Sequence, residues 1–163
     1  MGSYVIGVRR HDIPKPDFVD EQYTMDALHE LLPRADVIAM SLPGYEDTFG
    51  LIGAEEFALM KDTAILLNIG RGTAVDTDAL NEALRSGKIY GAGIDVTDPE
   101  PLPADHPLWD APHMIITPHV SGGYALPVTL EKILRLSIEN LERWERGEQL
   151  INIVDRGTGY VKR

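Results

Sequence analysis

Residues 64–68 of this chain read AILLN, and IGRG follows at once. Ile65, Leu66 and Leu67 make a short apolar run without alternation. That is the pattern of a strand buried on both faces of a parallel sheet. Parallel strands cannot be joined by tight turns, so such a strand commits the chain to crossover connections and to further strands beside it. Gly70 and Gly72 flank Arg71, which lets the backbone turn sharply and come close to a ligand. The arginine is thereby lifted to the carboxyl end of the strand, where ligands of open α/β sheets bind. A guanidinium there can hold a carboxylate through two parallel hydrogen bonds. A solvated arginine in an ordinary strand-to-helix turn fits an isolated G-R-G equally well.

The expected alternation runs through the chain. Residues 4–8 (YVIGV) read as a buried strand closed by Arg9 and Arg10. Residues 11–22 carry Pro14 and Pro16 without periodicity and read as a loop. Thr24 is the expected N-cap of a helix to about Leu32, with Leu28, Leu31 and Leu32 inward and Pro33 as the stop. Residues 36–41 (DVIAMS) form the next strand, and a short helix over 55–60 leads to the strand 64–68. Asp76 caps a helix to about Ser86, with Gly87 as its C′ residue. Residues 89–95 and 114–117 are further strands. A long helix is predicted from about 125 to 146, with Leu130, Ile133, Leu134, Leu141 and Trp144 on one face and Gly147 at its end. A tail over 149–163 carries a short apolar run at 150–154. This β-α-β rhythm predicts an α/β fold with a doubly wound parallel sheet.

Composition narrows the function classes. At 163 residues the chain can bury one real core. Its formal net charge of −11 argues against nucleic-acid or anionic-membrane binding, since there is no cationic excess to release counterions from phosphates. Without cysteine it has neither disulfides nor thiolate metal sites, which fits a reducing compartment. No apolar stretch approaches the roughly 18 to 20 residues needed to span a bilayer, and no signal peptide opens the sequence. The expectation is a soluble, cytoplasmic protein.

Polar groups collect where strands end. Arg71 follows the strand 64–68, and Asp95 ends the strand 89–95. Glu100 lies in DVTDPEPLP, where Pro99, Pro101 and Pro103 stiffen the loop. Of five histidines, only His119 falls just past the carboxyl end of a buried strand, in TPHVSGG. Each residue alone reads as a cap, a solvated acid or a loop histidine. Their coincidence at one sheet edge is harder to dismiss.

SLPGYEDTFGLIG, ALMKDTAILLNIGRGTAVDTDALNEALRSG, GAGIDVTDPEPLP, PLW and TPHVSGG follow one another in the order they take in a known family. The chain resembles the D-isomer-specific 2-hydroxyacid dehydrogenases, and DVTDPEPLP looks most like their glyoxylate/hydroxypyruvate reductase branch. The resemblance implies an oxidoreductase that moves a hydride between a nicotinamide and a small 2-keto or 2-hydroxy acid, with Arg71, Glu100 and His119 as the catalytic set. The residue types suit the reaction. Histidine, with an ordinary pKa of about 6.5, can pass a proton to the carbonyl oxygen at neutral pH. Glu100 would fix its tautomer, and Arg71 would bind the substrate carboxylate. No metal is required.

The resemblance also implies a Rossmann-like domain over 1–124. The expected cofactor contacts are Arg9, Arg10, Leu42, Pro43, Ile69, Gly70, Arg71, Asp95, His119, Ser121 and Gly122. Arginines, rather than an acid, close the second family strand, which leans the NAD(P) choice toward NADP. The family's first strand and its G-x-G-x-x-G turn are not found ahead of residues 4–8. The chain is therefore expected to be the C-terminal part of a longer homodimeric enzyme, inactive alone and completed by its N-terminal part. In the order 3-2-1-4-5-6 the missing strand is expected between 4–8 and 64–68. Residues 125–163 would return to an absent substrate domain. The alternatives are a dinucleotide-sensing corepressor-like protein and an inactive fragment.

Overall fold

The computed structural model describes residues 2–11, 13–122, 126–156 and 161. They fall into two compact units, Met1–His119 and Val120–Arg163. The first holds six strands: β1 (Ile6–Arg9), β2 (Glu21–Thr24), β3 (Val37–Met40), β4 (Ile65–Asn68), β5 (Gly91–Ile94) and β6 (Met114–Ile116). It also holds the helices α1 (Leu28–Leu31), α2 (Ala54–Leu59) and α3 (Thr77–Arg85), while the second unit holds α4 (Pro127–Glu145). Every strand pair is parallel. The α/β, Rossmann-like class expected from the alternation is the one observed.

The sheet comes in two pieces, a β1-β2 pair and a four-stranded run β3-β4-β5-β6. β2 stands where the sequence predicts the end of a loop and the start of a helix. Its residues, EQYT, are polar, so the apolar signal is absent. Glu21 instead secures it with side-chain bonds, receiving Arg34 Nη2 at 2.6 Å and the hydroxyl of Tyr4 at 2.7 Å. Arg34, then Tyr23 and Tyr4, hold the Glu21 carboxyl down at about 2. Because β2 occupies the outer position beside β1, residues 36–41 form the fourth family strand rather than the third. The open edges are consequently those of β1 and β3, not of β1 and β4; β4 is paired on both sides. Between them lies a cavity of about 210 Å³, with Ile6 and Val8 on one wall, Val37 and Ala39 on the other, and Leu28 and Leu32 among its lining.

Register explains which side of the sheet is core. Ile38, Leu66 and Ala92 stand in one row, and Met40, Asn68 and Ile94 in the next, all on one face. Phe57 of α2 and Leu80 of α3 join Leu66 and Ala92 in a single buried cluster there. The opposite face carries Val37, Leu67 and Ile115, which are 54%, 39% and 68% exposed. Burial on both faces, expected for residues 64–68, therefore holds on one face only in this unit.

Helix ends follow local chemistry. The Asp76 carboxylate accepts from Ala79 N–H at 2.9 Å and caps α3. Gly87, at φ +72°, closes it with Gly87 N–H on Leu84 O and Lys88 N–H on Ala83 O, a Schellman ending. Thr24, the expected cap of the first helix, makes no such bond; it ends β2, and a 3-10 turn over Met25–Ala27 separates it from α1. Nor does Pro33 stop the helical path, because it sits at the start of a second 3-10 turn, Leu32–Arg34. In the second unit, Asn140 of α4 both donates to Ile151 O and accepts from Ile151 N–H, folding the tail back on the helix. The expected helix residue Ala125 and the proposed boundary at Tyr124 lie outside the described residues.

Candidate active site

The end of β4 is built on a buried polar residue. Asn68, 1% exposed, accepts from Gly70 N–H at 3.0 Å and donates to Arg71 O at 2.9 Å. The two glycines are needed here for close approach rather than for a left-handed turn. A Cβ on Gly70 would stand 2.5 Å from Leu42 O, and one on Gly72 only 1.9 Å from Thr97 O. The G-R-G turn is thus wedged between the loop after β3 and the loop after β5. Gly72→Ala should destabilise the protein by about 1 to 3 kcal/mol through overpacking against backbone, read as a lower Tm; an unchanged Tm would show the wedge to be loose.

Arg71 is exposed, its stem lying over Gly44, where a Cβ would come within 3.1 Å of Arg71 Cγ. Its Nη1 donates to Gly70 O at 2.8 Å. Among the described residues no carboxylate pairs with this guanidinium, which leaves its charge for an anion from outside.

Just past the next strand, β5, Asp95 is buried, and the hydroxyl of Thr117, just past β6, donates to its carboxylate. Thr77 Oγ1 donates to Asp98 O at 2.7 Å and so ties the DVTDPEPLP loop to α3. Glu100 of that loop reaches His119, with Oε1 2.6 Å from Nδ1. A carboxylate only accepts, so Nδ1 carries the hydrogen, and Nε2 is the nitrogen left for proton transfer. The two side chains are 46% and 41% exposed; a pair so open to water contributes little stability, and its value is orientation. His119 has φ +53°, a left-handed conformation uncommon outside glycine, and its N–H donates to Thr117 O at 3.0 Å.

The remaining expected cofactor contacts are less uniform. Arg9 ends β1, and no carboxylate among the described residues pairs with it. Arg10 is already engaged, 2.8 Å from Asp47 and 5.2 Å above the Tyr45 ring. Asp12, nearby in the sequence, lies outside the described residues. Leu42 backs Gly70, and Pro43 O accepts from the buried Thr48 hydroxyl at 2.9 Å. Ile69 is 57% exposed beside Arg71. Ser121 and Gly122 belong to the second unit. Asn68, Thr48 and Thr117 were not singled out from the sequence, although an Asn closing an apolar run was a legible sign. Among the described residues no group of His, Asp and Glu is arranged to hold a metal ion.

Residues 1–121 match the family model for the D-isomer specific 2-hydroxyacid dehydrogenase NAD binding domain. An uncharacterized Corynebacterium melassecola protein is 37% identical, covering 98% of this chain and 57% of its own length. Glyoxylate/hydroxypyruvate reductase B of Pectobacterium carotovorum is 44% identical over 78% of this chain and 39% of its own length. Among solved structures, the NADPH-dependent glyoxylate/hydroxypyruvate reductase of Sinorhizobium meliloti, in complex with NADP and sulfate, superposes with a TM-score of 0.83. It is 30% identical and covers 98% of this chain and 50% of that one. The chain thus spans roughly half the length of the proteins it matches.

Proposed function

The chain belongs to the D-isomer-specific 2-hydroxyacid dehydrogenase family, matching its NAD-binding domain, and on that premise we propose that the whole protein reduces small 2-keto acids such as glyoxylate and hydroxypyruvate with NADPH. The observation that carries this reading is the Glu100–His119 pair at 2.6 Å, on the same strand-end edge as an Arg71 without an acidic partner among the described residues. His119 donates the proton to the carbonyl oxygen through Nε2 while Glu100 holds Nδ1. Arg71 holds the carboxylate of the substrate and faces the charge that develops on its ketone oxygen.

The dinucleotide supplies the hydride. The residues present suit it: Asp95 offers a buried carboxylate oxygen for a carboxamide, and Arg9 stands at the end of β1. A positive charge at that strand end suits a 2′-phosphate better than a 2′-hydroxyl. The remaining pyrophosphate contacts and the substrate domain would come from the rest of the protein, and a parallel strand would fill the space between β1 and β3.

In the intact enzyme with glyoxylate as substrate, kcat/KM for NADPH should exceed that for NADH by about 10- to 100-fold, the share of one or two charge-assisted bonds to phosphate. An NADH preference would overturn the NADPH assignment. Absence of turnover with either cofactor, for both keto acids, would overturn the reductase.

A further inference from the structure

We propose that Asn68 is the positioning residue for Arg71, setting the substrate-binding guanidinium from inside the sheet. The proposal rests on the reading of Arg71 as the carboxylate-binding residue. Asn68 ends β4 on the core face, in register with Met40 and Ile94, where an apolar side chain would serve stability better. A buried carboxamide is tolerated only when its groups are bonded. Here one oxygen and one N–H bond to the turn that carries Arg71: Gly70 N–H at 3.0 Å and Arg71 O at 2.9 Å.

These bonds hold the peptide that enters Gly70 and the peptide that leaves Arg71, one on each side of the Gly70-Arg71 pair. The first is held through Gly70 N–H and the seat of Gly70 on Leu42; the second is held through Arg71 O and the seat of Gly72 on Thr97. The Arg71 side chain then has little freedom near its root, with its stem against Gly44 and its head on Gly70 O. Without the carboxamide the glycine contacts remain, and Arg71 O keeps only the longer bond from Ala74 N–H at 3.3 Å. Asn68 touches neither substrate nor cofactor in this scheme; it acts through Arg71 alone.

A double-mutant cycle in the intact enzyme tests this, with glyoxylate and NADPH as the probes. Asn68→Ala should lower kcat/KM for glyoxylate about 10- to 100-fold, as expected for misplacement of a binding group by about 1 Å. KM for NADPH should stay within about 2-fold of the parent. On an Arg71→Ala background the same substitution should change kcat/KM for glyoxylate by less than about 3-fold, because the two residues act as one unit. A loss that persists undiminished on that background overturns the proposal, as does Asn68→Ala with parental kinetics. If Arg71→Ala itself keeps parental kcat/KM, the reading of Arg71 fails first, a distinguishable outcome. Should Asn68→Ala fail to fold, Asn68→Asp decides. Its carboxylate still accepts from Gly70 N–H but repels Arg71 O, so the glyoxylate-specific loss should recur; parental kinetics in that variant overturn the proposal.

Discussion

Replacing His119 by Gln or Asn in the intact enzyme should lower kcat by about 10²- to 10⁴-fold, the usual share of a positioned acid–base group. That corresponds to about 3 to 5 kcal/mol of barrier. KM for NADPH should change little, since the imidazole is assigned to the carbonyl oxygen rather than to the cofactor. The two variants separate chemistry from folding. His119 lies at φ +53°, where most side chains cost roughly 1 to 2 kcal/mol and Asn is tolerated. Gln should therefore lower Tm as well as kcat, while Asn lowers kcat at nearly the parental Tm. Turnover close to parental in the Asn variant would remove His119 as the proton donor.

A 163-residue polypeptide of this sequence, prepared by itself, should self-associate. β1 and β3 each present a four-residue edge toward the space between them. A strand of that length directs about two N–H and two C=O groups to one side. Each such group costs about 1 to 3 kcal/mol when buried without a partner, which puts on the order of 10 kcal/mol at stake, comparable with the whole stability of a domain. Left open to water, the same edges are templates for strand addition by another chain. Light scattering should show species well above 18.0 kDa, and hydrogen exchange should be faster at the amides of β1 and β3 than at those of β4 and β5. A stable 18.0 kDa monomer with all four strands equally protected would refute the expectation.

What could be read from the sequence was whatever local chemistry alone determines. α3 has an acidic cap and a terminal glycine that need no tertiary context, and the strands β4, β5 and β6 announce themselves as apolar runs. β2 does not, because EQYT is held by Glu21, Arg34 and Tyr4, residues whose meeting depends on the fold. Missing it shifted the strand count and put the open edge on β4 instead of β3. At the site, Arg71 and His119 were visible as polar residues after buried strands. The bond from His119 to Glu100 spans 19 positions; no periodicity joins residues so far apart, and the family resemblance suggested it. Thr117 gives no signal for a related reason: a polar side chain looks like noise until its partners are seen.

The seating of Gly72 on Thr97, with Thr77 bonded to Asp98 O, has a mechanical consequence. The turn bearing Arg71 and the loop bearing Glu100 are keyed together by the Gly72–Thr97 backbone approach and the Thr77–Asp98 bond. Under the proposed roles, any opening and closing of the cleft would fall to whatever faces this edge, with the edge itself serving as the anvil. Substitutions that loosen the key should blur the distance between Arg71 and His119 and so, if these carry the proposed roles, slow chemistry more than they slow the arrival or departure of ligands.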